Sequence, residues 1–202
     1  SKALAALTSY LDRVYTLYCS ANAIKEFVSA FNEKLLALET CRYVAADMSR
    51  HLEDISDLAD EFGDESFTDL ELLYDLINAD IEATLTKKCI SQLQTFCEHV
   101  AHGGGDTTTV SLLFQDQTFT FSPSMDTCRQ TWVSTIEKII ATATNNYLIN
   151  YSNERMFLGI VDKISHQLQA CFAGIDRVVD AAKKYLGQWS HVQKLWETSP
   201  AE

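Results

Sequence analysis

From Ser1 to Phe62 the chain contains neither glycine nor proline. Through that stretch apolar side chains return every three or four residues, at Leu7, Leu11, Val14, Tyr18, Ala21, Ile24, Val28, Phe31, Leu35 and Leu38. A long run with helical spacing and no breaker leaves little but α-helix open to it. The seam continues through Cys41, Ala45, Met48, Leu52, Ile55, Ala59 and Phe62. Such spacing would suit a coiled coil, but Leu17, Phe27, Leu36, Val44 and Leu58 broaden it, as in helices with more than one neighbour. A break or kink is expected near Glu39–Arg42, giving two helices.

The rest of the chain is punctuated sparsely, with 7 Gly and 2 Pro among 202 residues. Gly63 is expected to end the first segment at the position after the last helical turn. Thr68 with Glu71 then has the spacing of a capping box, with Ser66 as a competing cap. A helix along Phe67, Leu70, Leu73, Ile77, Ile81, Leu85, Cys89, Leu93, Phe96 and Val100 is stopped by Gly103-Gly104-Gly105-Asp106. From Thr108 the pattern changes to β-branched and aromatic residues with period two: Val110, Leu112 and Phe114, then Phe119 and Phe121. Separated by Gln115-Asp116-Gln117, these predict a β-hairpin, whose apolar face must lie against helices to be stable. Ser122-Pro123-Ser124 is placed to cap a helix through Met125, Cys128, Trp132, Ile136, Ile139 and Ala143. Asn145–Asn153 is expected to be a loop, and Ser152 to Pro200 one helix, about 65 Å long at about 1.5 Å per residue. Its seam runs from Ile160 through Ile164, Leu168, Cys171, Ile175, Val179 and Leu186 to Trp189 and Trp196. Gly159, Gly174 and Gly187 within it are expected to mark close packing against another helix, with a functional hinge the lesser alternative. The predicted architecture is mainly α: an elongated bundle of long amphipathic helices with one small β-hairpin. It divides into a helical stem segment, 1–107, and a hairpin-plus-helix segment, 108–202.

Composition narrows the function classes. At 47% hydrophobic residues the chain can bury a core, and a formal net charge of −12 disfavours nucleic acid and anionic membrane surfaces as partners. No apolar run approaches a membrane span, and Ser1-Lys2 leads straight into a helical pattern, so no secretory leader is expected. The missing initiator Met suggests an excised piece of something larger. Six dispersed cysteines, Cys19, Cys41, Cys89, Cys97, Cys128 and Cys171, form no C-x-x-C pair, which points to buried free thiols in a reducing compartment. The sequon Asn150-Tyr151-Ser152 is then a chance match.

Candidate chemistry is thin. Gly103-Gly104-Gly105 follows a helix and has no Lys, unlike a phosphate-binding loop. Cys97, His99, His102 and Asp106 come closest to a metal cluster, but two of them sit at a fraying helix end and no second ligand pair is visible. The carboxylates from Asp54 to Glu71 lack the spacing of a calcium loop and suit a solvated helix face, with a basic partner surface the lesser alternative. No nucleophile motif surrounds any Ser or Cys, and His51, His166 and His191 suit helix surfaces. No catalytic residue, cofactor or metal site is assigned.

One passage carries a resemblance. Leu113-Phe114, then Phe119-Thr120-Phe121-Ser122-Pro123-Ser124-Met125 and a helix through Trp132 and Ile136, resemble a passage in dynein heavy-chain tails. Gln188-Trp189, Gln193 and Leu195-Trp196 look like the end of the last long tail helix before the motor's linker. The resemblance covers about residues 108–200; residues 1–107 are compatible as a helical stem. It implies a non-catalytic segment between the anchoring tail and the ATP-driven motor, with Trp189, Gln193, Leu195, Trp196, Phe121 and Pro123 as structural junction anchors. The implied partners are the rest of the heavy chain, intermediate or light chains, or a second heavy chain. The implied location is the cytoplasmic cytoskeleton or a ciliary axoneme. Cytoplasmic tails commonly read Trp-Leu-x-Tyr-Gln-x-Leu-Trp here; Ser190 and Val192 depart from this, which tilts the resemblance towards the axonemal type. The alternative is a helical adaptor or tether subunit that binds partner helices through an apolar groove.

Overall fold

The computed structural model describes residues 2–64, 70–103, 109–115, 118–150 and 155–197. Among them are six helices: α1 (Lys2–Thr40), α2 (Ala45–Asp64), α3 (Leu70–His102), α4 (Met125–Thr144), α5 (Gly159–Lys163) and α6 (Ser165–Glu197). One antiparallel hairpin, β1 (Ser111–Gln115) and β2 (Thr118–Ser122), stands between α3 and α4. The protein is mainly α with one small hairpin, as its breaker-poor seams predict. No helix among the described residues is long and apolar enough to cross a membrane.

Contacts group the chain into two compact units, Ser1–Thr84 with Tyr147–Arg155, and Leu85–Asn146 with Met156–Glu202. In the first, α1 ends at Thr40 and α2 begins at Ala45, so the break falls where it is expected. The Cys41 N–H bonds back to the Ala37 carbonyl, and Arg42 Nε donates to Asp47 Oδ2 at 2.8 Å in the first turn of α2. Phe27, Phe31 and Leu38 of α1 pack with Met48, Leu52, Ile55 and Ala59 of α2 among the buried core residues. The Phe27 and Phe62 rings stack with centroids 4.4 Å apart. The N-terminal half of the α1 seam departs from expectation: Leu7, Leu11, Val14 and Tyr18 are exposed, and the first buried residue is Phe27. α2 spans only Ala45–Asp64, half the length of α1, so it covers only the C-terminal half of its partner. α2 also runs one residue past Gly63; the caps read at Ser66 and Thr68 lie outside the described residues.

Buried Asn78 on α3 closes this unit. Its Nδ2 donates to the Ile149 carbonyl at 3.2 Å and its Oδ1 accepts from the Ile149 N–H at 2.8 Å. One amide thus satisfies both backbone groups of a residue in a segment with no ladder of its own, which burial requires.

In the second unit Leu85, Cys89, Leu93 and Val100 of α3 join Cys128, Trp132, Ile136 and Ala143 of α4 and Cys171, Ile175 and Val179 of α6 as core. α3 stops at a glycine in the left-handed region: Gly103, φ 72°, donates its N–H to the His99 carbonyl at 2.9 Å. The predicted final helix is corrected at its start. Arg155 and Phe157 are not helical, the ladder begins at Gly159, and Ile164 (φ −98°, ψ 3°) interrupts it before α6. The Phe157 N–H is drawn instead to the Asn146 carbonyl, and Phe157, Ile160 and Ile164 are all buried. The cap expected at Ser152 or Asn153 lies outside the described residues. The close-packing role expected for the α6 glycines is also corrected, since a Cβ at Gly174 or Gly187 would meet nothing within 4 Å.

Candidate functional site at the hairpin and the last helix

Strand alternation puts Phe119 and Phe121 on one face of β2, and the register sets them opposite Phe114 and Leu112. The Phe114 and Phe119 centroids are 4.7 Å apart. Phe119 in turn meets Trp189 of α6 at 5.5 Å, and Trp189 meets Tyr185, one turn earlier, edge-on at 6.0 Å. Ring pairs at such distances contribute about 0.5–1.5 kcal/mol each beyond their buried area. Four aromatic rings therefore fasten the hairpin to the C-terminal part of α6.

The turn into α4 is held as firmly. Ser124 is its N-cap, its Oγ accepting from the Thr127 N–H at 3.2 Å. Half-buried Pro123 offers its carbonyl to the Cys128 thiol at 3.9 Å. Burial pushes the Cys128 thiol above its ordinary acidity value, a backbone hydrogen bond pulling the other way. At the far end of α4, buried Asn146 donates to the Thr142 and Ala143 carbonyls, occupying acceptors that the helix terminus leaves open. Arg129 Nε meets Asp176 Oδ1 at 3.0 Å and Lys183 Nζ meets Asp126 Oδ1 at 3.5 Å. These exposed pairs contribute little energy; the buried residues of α4 and α6 carry the contact between the two helices.

Of the six anchors read from the sequence, Trp189, Phe121 and Pro123 fall in this junction. Gln193, Leu195 and Trp196 lie in α6, with side chains outside the described residues. The ring that touches Trp189 is Phe119, two residues before the expected Phe121. Period-two alternation already placed both on one face; which of them reaches α6 depends on the hairpin's seating.

The cysteine expectation is corrected. Cys97 on α3 and Cys171 on α6 form a disulfide, with Cα atoms 5.8 Å apart across 74 residues of sequence, and Cys19, Cys41, Cys89 and Cys128 are free. The two bonded residues sit on facing helical stripes, a juxtaposition that no local spacing reveals. The same bond removes Cys97 from the suspected metal cluster. His102 Nδ1 donates to the Glu98 carbonyl at 3.0 Å, and Asp106 lies outside the described residues. Among the described residues no three His, Cys, Asp or Glu side chains are grouped to hold a metal ion. The junction as a whole is aromatic and aliphatic packing flanked by caps and ion pairs.

No protein-family model matches the chain, and no curated protein matches it by sequence.

Proposed function

We propose that this chain is a non-catalytic structural segment of a dynein motor heavy chain, with the Ser190 and Val192 departures leaning towards the axonemal type. It connects the anchoring tail to the ATP-driven motor and transmits force between them. The reading rests on the residues themselves: the Phe-Thr-Phe-Ser-Pro-Ser passage and the Gln188-Trp189, Gln193 and Leu195-Trp196 ending. The observation that carries it is the contact between these two passages, with Phe119 of the hairpin against Trp189 of α6 at 5.5 Å. A helix that hands displacement onward needs a fixed seat near its end, and the hairpin supplies one. Its partners are then the linker and motor of the same heavy chain, with intermediate or light chains on the stem. Its place is the cytoplasmic cytoskeleton, and the axoneme of a cilium or flagellum if the heavy chain is axonemal.

The exposed apolar start of α1 favours a second reading, a helical adaptor that receives partner helices. The reading frame beyond Glu202 separates the two. Nucleotide-binding motor modules there support the stem, and a stop codon supports the adaptor.

A further inference from the structure

The bridge between Cys97 and Cys171 stands in a chain whose other four cysteines are thiols, Cys19 among them lying exposed on α1. A chain matured under oxidising conditions seldom keeps an exposed thiol beside a permanent crosslink. The two ends of the bridge also differ. Cys171 is 5% exposed and Cys97 half-buried, so solvent reaches one sulfur and not the other. Bridges with a reachable sulfur are the ones that exchange with small thiols, whereas sealed ones resist. The opened state has a place for its buried end as well. Cys171 Sγ lies 3.7 Å from the Leu93 carbonyl oxygen on α3, so a reduced Cys171 thiol donates there and is not left unpaired in the core. That core is aliphatic in its own right, with Leu93, Ile136 and Ile175 at most 2% exposed. Both redox states therefore fit one fold.

We propose that Cys97 and Cys171 form a redox latch, closed by the disulfide form of a low-molecular-weight thiol such as glutathione and opened by its thiol form. In closing, the Cys97 thiolate attacks one sulfur of glutathione disulfide, and the first glutathione leaves with the proton that Cys97 gave up. The Cys171 thiolate then attacks Cys97 Sγ in the mixed disulfide and expels the second glutathione, which takes the Cys171 proton. Two electrons pass from the cysteine pair to the glutathione disulfide, and two glutathione thiols result. Opening runs the same steps backwards, starting at Cys97, the sulfur that solvent reaches. The element under control is α6. Among the described residues the backbones of α3 and α6 come close only locally, and the bridge is at such a place. With the latch open, α6 is held by α4 and the hairpin. With it closed, α6 is also pinned to α3, about 27 Å along the helix from Trp189 at about 1.5 Å per residue. The inference stands on these cysteines alone and does not depend on the stem reading.

The whole chain, equilibrated without air in buffers running from glutathione thiol alone to glutathione disulfide alone, tests it. Each sample is acid-quenched, unfolded and alkylated for mass spectrometry. Six alkyl groups are expected at the reduced end and four at the oxidised end, with Cys97 and Cys171 the pair that drops out. Helical circular dichroism is expected to be the same at both ends. Amide hydrogen exchange around Cys97 and around Cys171 is expected to run roughly tenfold or more faster in the open state, with β1 and β2 unchanged. Cys171→Ser, whose hydroxyl takes the same Leu93 acceptor, is expected to exchange at the open rate in every buffer. A bridge that persists in glutathione thiol alone, or helices that are lost when it opens, overturns the inference, since the bond is then a fixed part of the fold. A pair that never closes, or whose closing leaves exchange in α6 unchanged, overturns it too.

Discussion

Asn78 shows at the scale of one residue how a polar side chain can hold a fold. Its amide pairs with both the N–H and the C=O of Ile149, 71 residues away. Asn78→Ala leaves two backbone groups unpaired in a buried place, and an unfolding free energy lower by about 1–3 kcal/mol is expected in a urea titration. Asn78→Asp keeps the acceptor for the Ile149 N–H but sets a buried carboxylate oxygen against the Ile149 carbonyl, so at neutral pH it should cost at least as much. Nothing in the sequence marks Asn78, because its neighbours Ile77 and Ile81 carry the helical pattern and its partner is remote. The cysteines were misjudged for the same reason. Six dispersed thiols with no local pairing read as free, whereas helix geometry brings Cys97 to Cys171. The bridge stands against a permanently reducing environment, so a stem in a reducing cytosol carries it only after oxidation. A thiol titration of unfolded, unreduced protein is expected to give the four free cysteines, and six after reduction. In the native protein exposed Cys19 should react first. Cys128, wholly buried and with its thiolate disfavoured, should stay unmodified at neutral pH and react only as the solution is made alkaline. Six reactive thiols without reduction would contradict the bridge.

At the scale of elements, much was legible. The seams of α2, α3, α4 and α6, the glycine stop of α3, the Ser124 cap and the hairpin all follow from local chemistry, while the break after Thr40 falls where expected with no breaker to mark it. The start of the last helix did not, because Ile160 and Ile164 fit a helical seam equally well on either side of a break. The backbone demand of Phe157 on Asn146, which delays the ladder, is a contact the pattern cannot contain. The α6 glycines likewise lack the neighbours that their place in the seam predicts. Gly174 has open space where a Cβ would stand and no positive φ, so helix propensity alone decides there. Gly174→Ala is expected to stabilise the protein by about 0.5–1 kcal/mol, read as a raised midpoint in thermal or urea unfolding. A loss of stability would mean that the position serves a packing or hinge role after all. At Gly103 the balance is opposite, since φ 72° disfavours any side chain.

For the whole molecule, the candidate site was half legible. Trp189, Phe121 and Pro123 were named from their place in two short passages, while Phe119, the ring that joins those passages, emerged only with the seating of the hairpin. The remaining anchors of α6 carry the reading through their sequence pattern alone. The end of α6 is seated on the hairpin through Phe119, and the first half of α1 exposes an apolar face. We propose on these grounds that the chain is the mechanical link between an anchored tail and a motor. Sequencing the full-length transcript that encodes Glu202 tests this most directly. The account predicts an open frame that continues into a linker and then several modules bearing the Gly-x-x-x-x-Gly-Lys-Ser/Thr phosphate loop. A transcript whose frame closes without any such module would contradict it.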